Sequence, residues 1–385
     1  MKRSLRLAAA AAAIGLVIAG CGSDKPANTG DDKPDISAAA DAALASIKDK
    51  VMSKGPHGET ASPASVAELT ADEIAKVKAM KLTAAIAFHY GGNDWSTAQL
   101  DGLKSEFGKL GIEVVAVTDA NFKPDKQVSD IETLLAKKPD ILISIPTDPV
   151  ATAAAYKKAV AQGVKIVFMD NAPSGMTAGK DYVSVVSADN YGNGVASAHL
   201  MAKALGGEGK IGAIFHEADF FVTKQRFDGF KSTIQSDYPD IDIVEEKGIA
   251  GPDFAGDAQA AANAMLTKYS DLEGIWAVWD VPAEGVMAAA RASGREDLKI
   301  ATQDLGKNVA IAMAKKELII GLGAQVPFNQ GVTEARLAAG AMLGKTAPPY
   351  VALSALPVDH DNVLDAWRDV YEQGAPSDLQ SAFKK

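Results

Sequence analysis

Carboxylates, amides and indoles recur in this sequence at one kind of place, directly after a short apolar run. TAAIAFHYGG leads to Asn93, Asp94 and Trp95, KIVFM to Asp170 and Asn171, and KIATQ to Asp304. GIWAVW ends on Trp279 and is followed by Asp280, while LIIGLGA runs into Gln325. Beyond KIGAIFH a helix-like stretch opens with Thr223, Lys224, Gln225 and Arg226. Ionised aspartate accepts hydrogen bonds, arginine donates them, and asparagine and glutamine do both. Indole faces cover C–H surface at small entropic cost. A neutral guest rich in hydroxyls would draw on all of these groups, because each hydroxyl buried without a partner costs about 1–3 kcal/mol. The many acids and few bases of the set argue against a phosphorylated or carboxylated guest.

Each residue also has a plainer role. Strand-end aspartates cap helices and turns, and Asp148 in PTDP reads as such a cap. Side chains alternate faces along a strand, so Trp276 reads as core while Trp279, at the tip, is better placed for a guest. His89 reads as a packed strand-end histidine, and the five histidines lack metal-ligand spacing. No GxSxG elbow, Walker A loop or HExxH pattern is present, and nothing implies a metal or cofactor. The enzymatic alternative is a secreted glycoside hydrolase using paired acids such as Asp170 and Asp304, with Asp280 and Asp94 as further candidates. It would require two carboxyls at a defined separation, one with a raised pKa.

The elements that must position these residues are short strands and helices in alternation. From residue 82, apolar runs (TAAIAFH, IEVVAV, DILISI, KIVFM) alternate with amphipathic stretches. After YVSVVSADN (182–190) the alternation restarts with KIGAIFH, IDIVEE, GIWAVW, KIATQ and LIIGLGA. Near-continuous apolar strands separated by helices indicate parallel sheets covered on both faces. The repetition predicts an α/β chain of two similar doubly wound parallel-sheet lobes. Guests of such sheets bind beyond the carboxyl ends of the strands, which is where the polar set lies. Upstream, residues 36–81 read as a largely helical extension, and TADEIAKVKAM (70–80) begins with the capping-box pattern of Thr70 and Glu73.

The N-terminus reads as an address. MKRSLR is basic, residues 7–20 form an apolar run of 14, and the only cysteine, Cys21, follows directly. That run is shorter than the about 20 residues a spanning helix needs, so residues 1–20 read as an export signal. VIAGC resembles a bacterial lipobox, which implies lipidation of Cys21 and attachment to a membrane. A lone cysteine excludes an internal disulfide. Residues 21–35, polar and rich in Gly, Pro and Asp, read as a tether. Removing the signal takes away Lys2, Arg3 and Arg6 and no acid, which deepens a formal net charge of −10 and disfavours nucleic acid as a partner.

Several stretches together carry a family resemblance: AIAFHYGGNDWSTAQLDGLKSEFGKLG, ILISIPTDPVATAAAYKKAVAQGVKIVFMDN, VVSADNYGNGVASAHLMA, QRFDGF, GIWAVWD and KIATQD. From about 82 to 358 the chain resembles the type I periplasmic sugar-binding proteins of ABC importers. The resemblance implies two lobes, 82–187 with 325–355 and 188–324 with 356–385, joined by crossings near 187–189, 324–326 and 354–358. It implies ligand contacts from Asn93, Trp95, Asp170, Arg226, Phe254 in GPDFAG, Asp304 and Gln325. The chain departs from the ribose binders at Ser96, Asn171 and Trp279, which points to a different small neutral sugar or sugar alcohol. The resulting expectation is a lipid-anchored, extracytoplasmic, monomeric receptor that delivers its guest to an ABC permease. The alternative within the same fold is a protein that presents the guest to a chemotaxis or signalling partner.

Overall fold

Near-continuous apolar runs become strands buried on both faces. The computed structural model describes residues 35–48 and 50–384. The export signal, Cys21 and the tether up to residue 34 lie outside the described residues. Among these the chain lays down, in order, β1 (Thr83–Phe88), β2 (Glu113–Asp119), β3 (Ile141–Ser144), β4 (Lys165–Met169), β5 (Ser184–Ala188) and β6 (Gly209–His216). There follow β7 (Ile241–Ile249), β8 (Gly274–Ala277), β9 (Lys299–Gln303), β10 (Ile319–Ala324), β11 (Tyr350–Leu353) and β12 (Leu356–Val358). Every residue of β3, β5 and β8 is buried, as a sheet covered on both faces requires. The edge strand β2 is half-exposed along its length.

The strands form two six-stranded sheets with matching order, β11-β5-β4-β3-β1-β2 and β12-β10-β9-β8-β6-β7. All pairings are parallel except β10 with β12. Each sheet is therefore one α/β lobe, and the chain passes between lobes after β5, after β10 and after β11. In both lobes the order reverses beside the first strand, so the crevices open where β1 meets β3 and where β6 meets β8. Helix Pro327–Met342 packs against helix Asp94–Leu110 and the first sheet, while helix Asn190–Leu205 packs against β9, β10 and helix Phe221–Asp237. Two glycines permit that last crossing, since a Cβ on Gly194 or Gly229 would collide with the carbonyl oxygen of Arg226 or Tyr191. The close approach fixes where the Arg226 side chain starts.

The segment ahead of β1 spans both lobes. Leu44 and Ile47 of helix Ile36–Ile47 bury against Val195, Ala196 and Leu200 of the second lobe. The N–H groups of Met52 and Ser53 donate to the two carboxylate oxygens of Asp189, at 2.8 Å each, directly on the first crossing. Ser62 then pairs with the first sheet, its N–H to the Tyr350 carbonyl at 3.0 Å and its carbonyl accepting from Ala352 at 3.1 Å. Helix Ala71–Met80, opened by a reciprocal capping box between Thr70 and Glu73, packs on helices Asp94–Leu110 and Pro327–Met342. These residues form a strap from the second lobe, across the hinge, to the first.

Candidate functional site

The two crevices face each other across one cavity of about 570 Å³, its open mouth included. The first lobe contributes His89, Tyr90, Asn93, Trp95, Phe122, Ile145 and Asp170; the second contributes His216, Phe220, Val222, Thr223, Arg226, Trp279, Asp280 and Asp304, with Gln325 on a crossing. Asp170 directly follows β4 and Asp304 directly follows β9, so they occupy matching positions in the two sheets. Both adopt left-handed backbone, φ 55° and 62°. Each fastens its own N–H to the neighbouring strand, Asp170 to the Val186 carbonyl at 2.7 Å and Asp304 to the Gly323 carbonyl at 3.0 Å. Aspartate tolerates this conformation better than most residues, and such strain persists only where surroundings impose it.

An unbroken hydrogen-bonded chain joins the two carboxylates through the first crossing. Ser187 Oγ donates to Asp170 Oδ1 at 2.7 Å and accepts from Asn190 Nδ2 at 3.1 Å. The Asn190 side-chain Oδ1 accepts from Arg226 Nε at 3.1 Å. Arg226 grips Asp304 with both terminal nitrogens, at 2.9 and 3.1 Å, and also donates to the Val278 carbonyl. Gln325 donates to Asp304 Oδ1 at 2.9 Å, and Gln330 donates to Asp170 Oδ1 at 3.3 Å. Planar two-point pairing of this kind fixes orientation as well as charge.

Burial sets the protonation of the remaining groups. It raises the Asp170 carboxyl to about 6, against the lowering effects of the Ser187 hydrogen bond and the Arg226 charge. Burial, then the Asp304 charge, pushes Asp280 well above the usual carboxylate range. Burial lowers His89 to about 3, with His216 adding to the effect, and lowers His216 to about 4. Both imidazoles are thus neutral at neutral pH. Three wall atoms, His89 Nδ1, Trp95 Nε1 and Gln325 Oε1, find no partner within the protein among the described residues. A paired arginine, neutral imidazoles and unpaired donors and acceptors suit a neutral hydrogen-bonding guest better than an ion. No group of three or more His, Cys, Asp or Glu among the described residues is arranged to hold a metal ion.

The wall between these polar groups is aromatic. Trp279, half-buried at the strand tip, stands edge-on to His216 at 5.6 Å and to Phe254 at 4.9 Å. Trp276 points the other way into the core, stacked on Phe230 at 4.8 Å with its Nε1 donating to Ser197 Oγ.

Four of the sequence-derived candidates stand off the cavity wall. Asp94 is exposed at the rim, where its Oδ2 accepts from Lys307 N–H at 2.7 Å, a contact between the lobes at a helix start. Asn171 is buried and turned onto the backbone N–H of Ala172. Gln225, one step around the helix from Arg226, donates to the Lys54 carbonyl of the strap at 2.9 Å. Phe254 is buried behind Trp279 and supports the wall. Conversely, Tyr90, Phe122, Ile145, His216, Phe220 and Val222 line the cavity without having been singled out. His216 ends β6 and Phe122 follows β2, so the strand-end rule applied to every run would have reached both. His89, read as a packing residue, is buried and also lines the cavity.

Two matching α/β lobes, three crossings and one polar, ring-walled cavity between them define a cleft-type binding protein. The chain belongs to the periplasmic binding protein domain family, whose model matches residues 84–346. It is 28% identical over 226 residues to the ribose import binding protein RbsB of Bacillus subtilis (strain 168), over 59% of this chain and 70% of that one. It is 24% identical over 230 residues to the D-apiose import binding protein of Paraburkholderia graminis, over 59% and 70% of the two chains. Among solved structures it resembles AraP, an arabinose-binding protein from Geobacillus stearothermophilus, with a TM-score of 0.65 and 25% identity over 74% of this chain and 98% of that one. The fold also matches an ABC transporter solute-binding protein from Agrobacterium vitis bound to α-D-tagatopyranose, with a TM-score of 0.70 and 23% identity over 76% and 100% of the chains. The strap, which lies before residue 84, falls outside the matched domain.

Proposed function

We propose that this protein is an extracytoplasmic receptor that closes its two lobes around one small neutral sugar or sugar alcohol and delivers it, unchanged, to an ABC import permease. The observation that carries this reading is the relay from Asp170 through Ser187, Asn190 and Arg226 to Asp304, set in a cavity walled by rings. Aligned acceptors and donors meet hydroxyls, and aromatic faces meet C–H surface. The relatives named for ribose, apiose and arabinose support the ligand class. Asn171 and Trp279, where ribose binders carry other residues, favour a guest other than ribose. The lobes would be 82–187 with 325–355 and 188–324 with 356–385. Cys21, lipidated after removal of residues 1–20, would tether a monomer to the membrane, with no cofactor.

Closure is a population shift drawn by the guest, which touches both carboxylates only when the lobes meet. Micromolar binding corresponds to about −8 kcal/mol, which several charge-assisted hydrogen bonds and stacked rings supply. The test is a thermal-shift screen of residues 35–385 against pentoses, hexoses, polyols, amino acids and small anions. A guest at a hundred times its Kd stabilises the folded form by about 2.7 kcal/mol. Stabilisation by sugars or polyols alone is expected, with the sugar recovered intact. Stabilisation only by amino acids or anions overturns the reading.

A further inference from the structure

We propose that Phe122 sets the size of guest the cleft accepts and latches the lobes together once it is inside; this rests on, and deepens, the carbohydrate-binding reading. Phe122 sits in the loop between β2 and the helix beginning at Pro124, entirely within the first lobe by chain connectivity. Its ring nevertheless packs against the hydrophobic core cluster of the second lobe. Within its own lobe it stacks on Tyr90 at 5.0 Å and meets His89 edge-on at 4.8 Å. Across the cleft it meets Phe254 at 5.6 Å, and His216 and Phe220 at 6.2 Å. Those three contacts join residues of different lobes, so lobe opening would break them.

The backbone holds the ring in place. Asn121 and Phe122 are consecutive residues in the left-handed region, φ 48° and 54°. Asparagine tolerates this conformation, but for a bulky ring it is an outlier that surroundings must enforce. The enforcing contacts are Phe122 N–H to the His89 carbonyl at 2.7 Å, Ala120 N–H to the Phe88 carbonyl at 3.0 Å and Asn121 N–H to Asp119 Oδ1 at 2.8 Å. The loop is thus bound to the end of β1, and the ring forms a fixed part of the cavity wall. A guest longer than the wall allows would have to displace the ring and forfeit the cross-lobe contacts.

The test compares sugar pairs that differ by one hydroxymethyl group: xylose with glucose, ribose with allose, and L-arabinose with D-galactose. Calorimetry on the full mature chain and on Phe122→Ala gives the ratio of hexose to pentose affinity. The expected result is a pentose affinity about tenfold lower in Phe122→Ala, as lost aromatic pairs imply. The hexose-to-pentose ratio should rise at least about tenfold by the same conversion. Phe122→Leu, which keeps bulk without the ring, should lose affinity while keeping the ratio. Should Phe122→Ala fail to fold, Phe122→Val must shift the ratio in the same direction. Equal weakening of both members of a pair overturns the gate and leaves Phe122 a structural residue. Failure of the parent protein to bind any member of the series instead overturns the carbohydrate reading itself.

Discussion

The two lobes place an aspartate at the same point of the same strand order, in the same left-handed conformation, and then treat its charge in opposite ways. Asp304 in the second lobe faces the Arg226 guanidinium at two points and the Gln325 amide at a third. Among the described residues, the Asp170 carboxylate in the first lobe is hydrogen-bonded by neutral groups, those of Ser187 and Gln330, and burial lifts it to about 6. One carboxylate is held by its partner and the other is poised by its surroundings. The second lobe therefore offers a rigid, charge-balanced edge, and the first offers an acceptor whose strength depends on protonation. A hydroxylated guest bridging the two would be oriented by the rigid edge and held by the tunable one.

The largest expected effect comes from breaking the balanced side. Arg226→Met leaves Asp304 buried without its cation, and loss of one partner of a buried pair costs about 3–5 kcal/mol. Denaturant unfolding should report that loss, and guest binding should disappear with it. Unchanged unfolding would show that the pairing contributes nothing to the second lobe.

Asp170→Asn tests the poised side. Losing a charged acceptor costs about 1.5–3 kcal/mol, or about ten- to a hundredfold in affinity. Guest hydroxyls donate to the ionised carboxylate, so binding lowers its pKa, and parent affinity should fall as pH drops below about 6. The groups acting on Asp170 are Ser187, Gln330, Arg226 and Asp304, and it acts in turn on Glu334 and Tyr350. Asp170→Asn should flatten the affinity profile near pH 6. For the ligand-free fold the sign reverses: a carboxyl whose pKa is raised on folding binds more protons folded than unfolded, so this group's contribution to stability falls as pH rises through about 4 to 6.

Asn190→Ala cuts the relay that joins the two sides, leaving the Ser187 Oγ acceptor and the Arg226 Nε donor, both buried, to find other partners at about 1–3 kcal/mol. Affinity should fall about tenfold if the two carboxylates act together. An unchanged Kd would mean that they act independently. Asp94→Asn should do least. Its rim contact at a helix N-terminus is worth about 0.3–1 kcal/mol, so Kd should rise less than about fivefold, and less still in high salt.

Much of this architecture is legible locally. Fully buried runs such as ILIS and SVVSA announce strands covered on both faces, and their alternation with helices gives two parallel sheets. Asp170, Asp304 and Trp279 stand at strand ends, and the sequence marks strand ends well. Phe220 and Val222 show the limit, since both line the cavity but carry apolar side chains with no hydrogen-bonding group to mark them. Gln225 and Asn171 show the opposite error, in which the right kind of side chain beside a true wall residue points elsewhere.

Residue order determined the periodicity, the strand ends and therefore the edge at which a guest can sit, because these follow from hydrophobic spacing over a few residues. Tertiary structure alone decided which groups on the two edges meet. Asp304 finds Arg226 78 positions away, and the Phe122 ring reaches a lobe to which its own strand does not belong. It also decided that the segment before β1 crosses the hinge, because Asp189 and the N–H groups of Met52 and Ser53 come together only after both sheets have formed. Local pattern fixes a side chain's direction from its own backbone, whereas its partner is fixed by how separately folded surfaces close on one another.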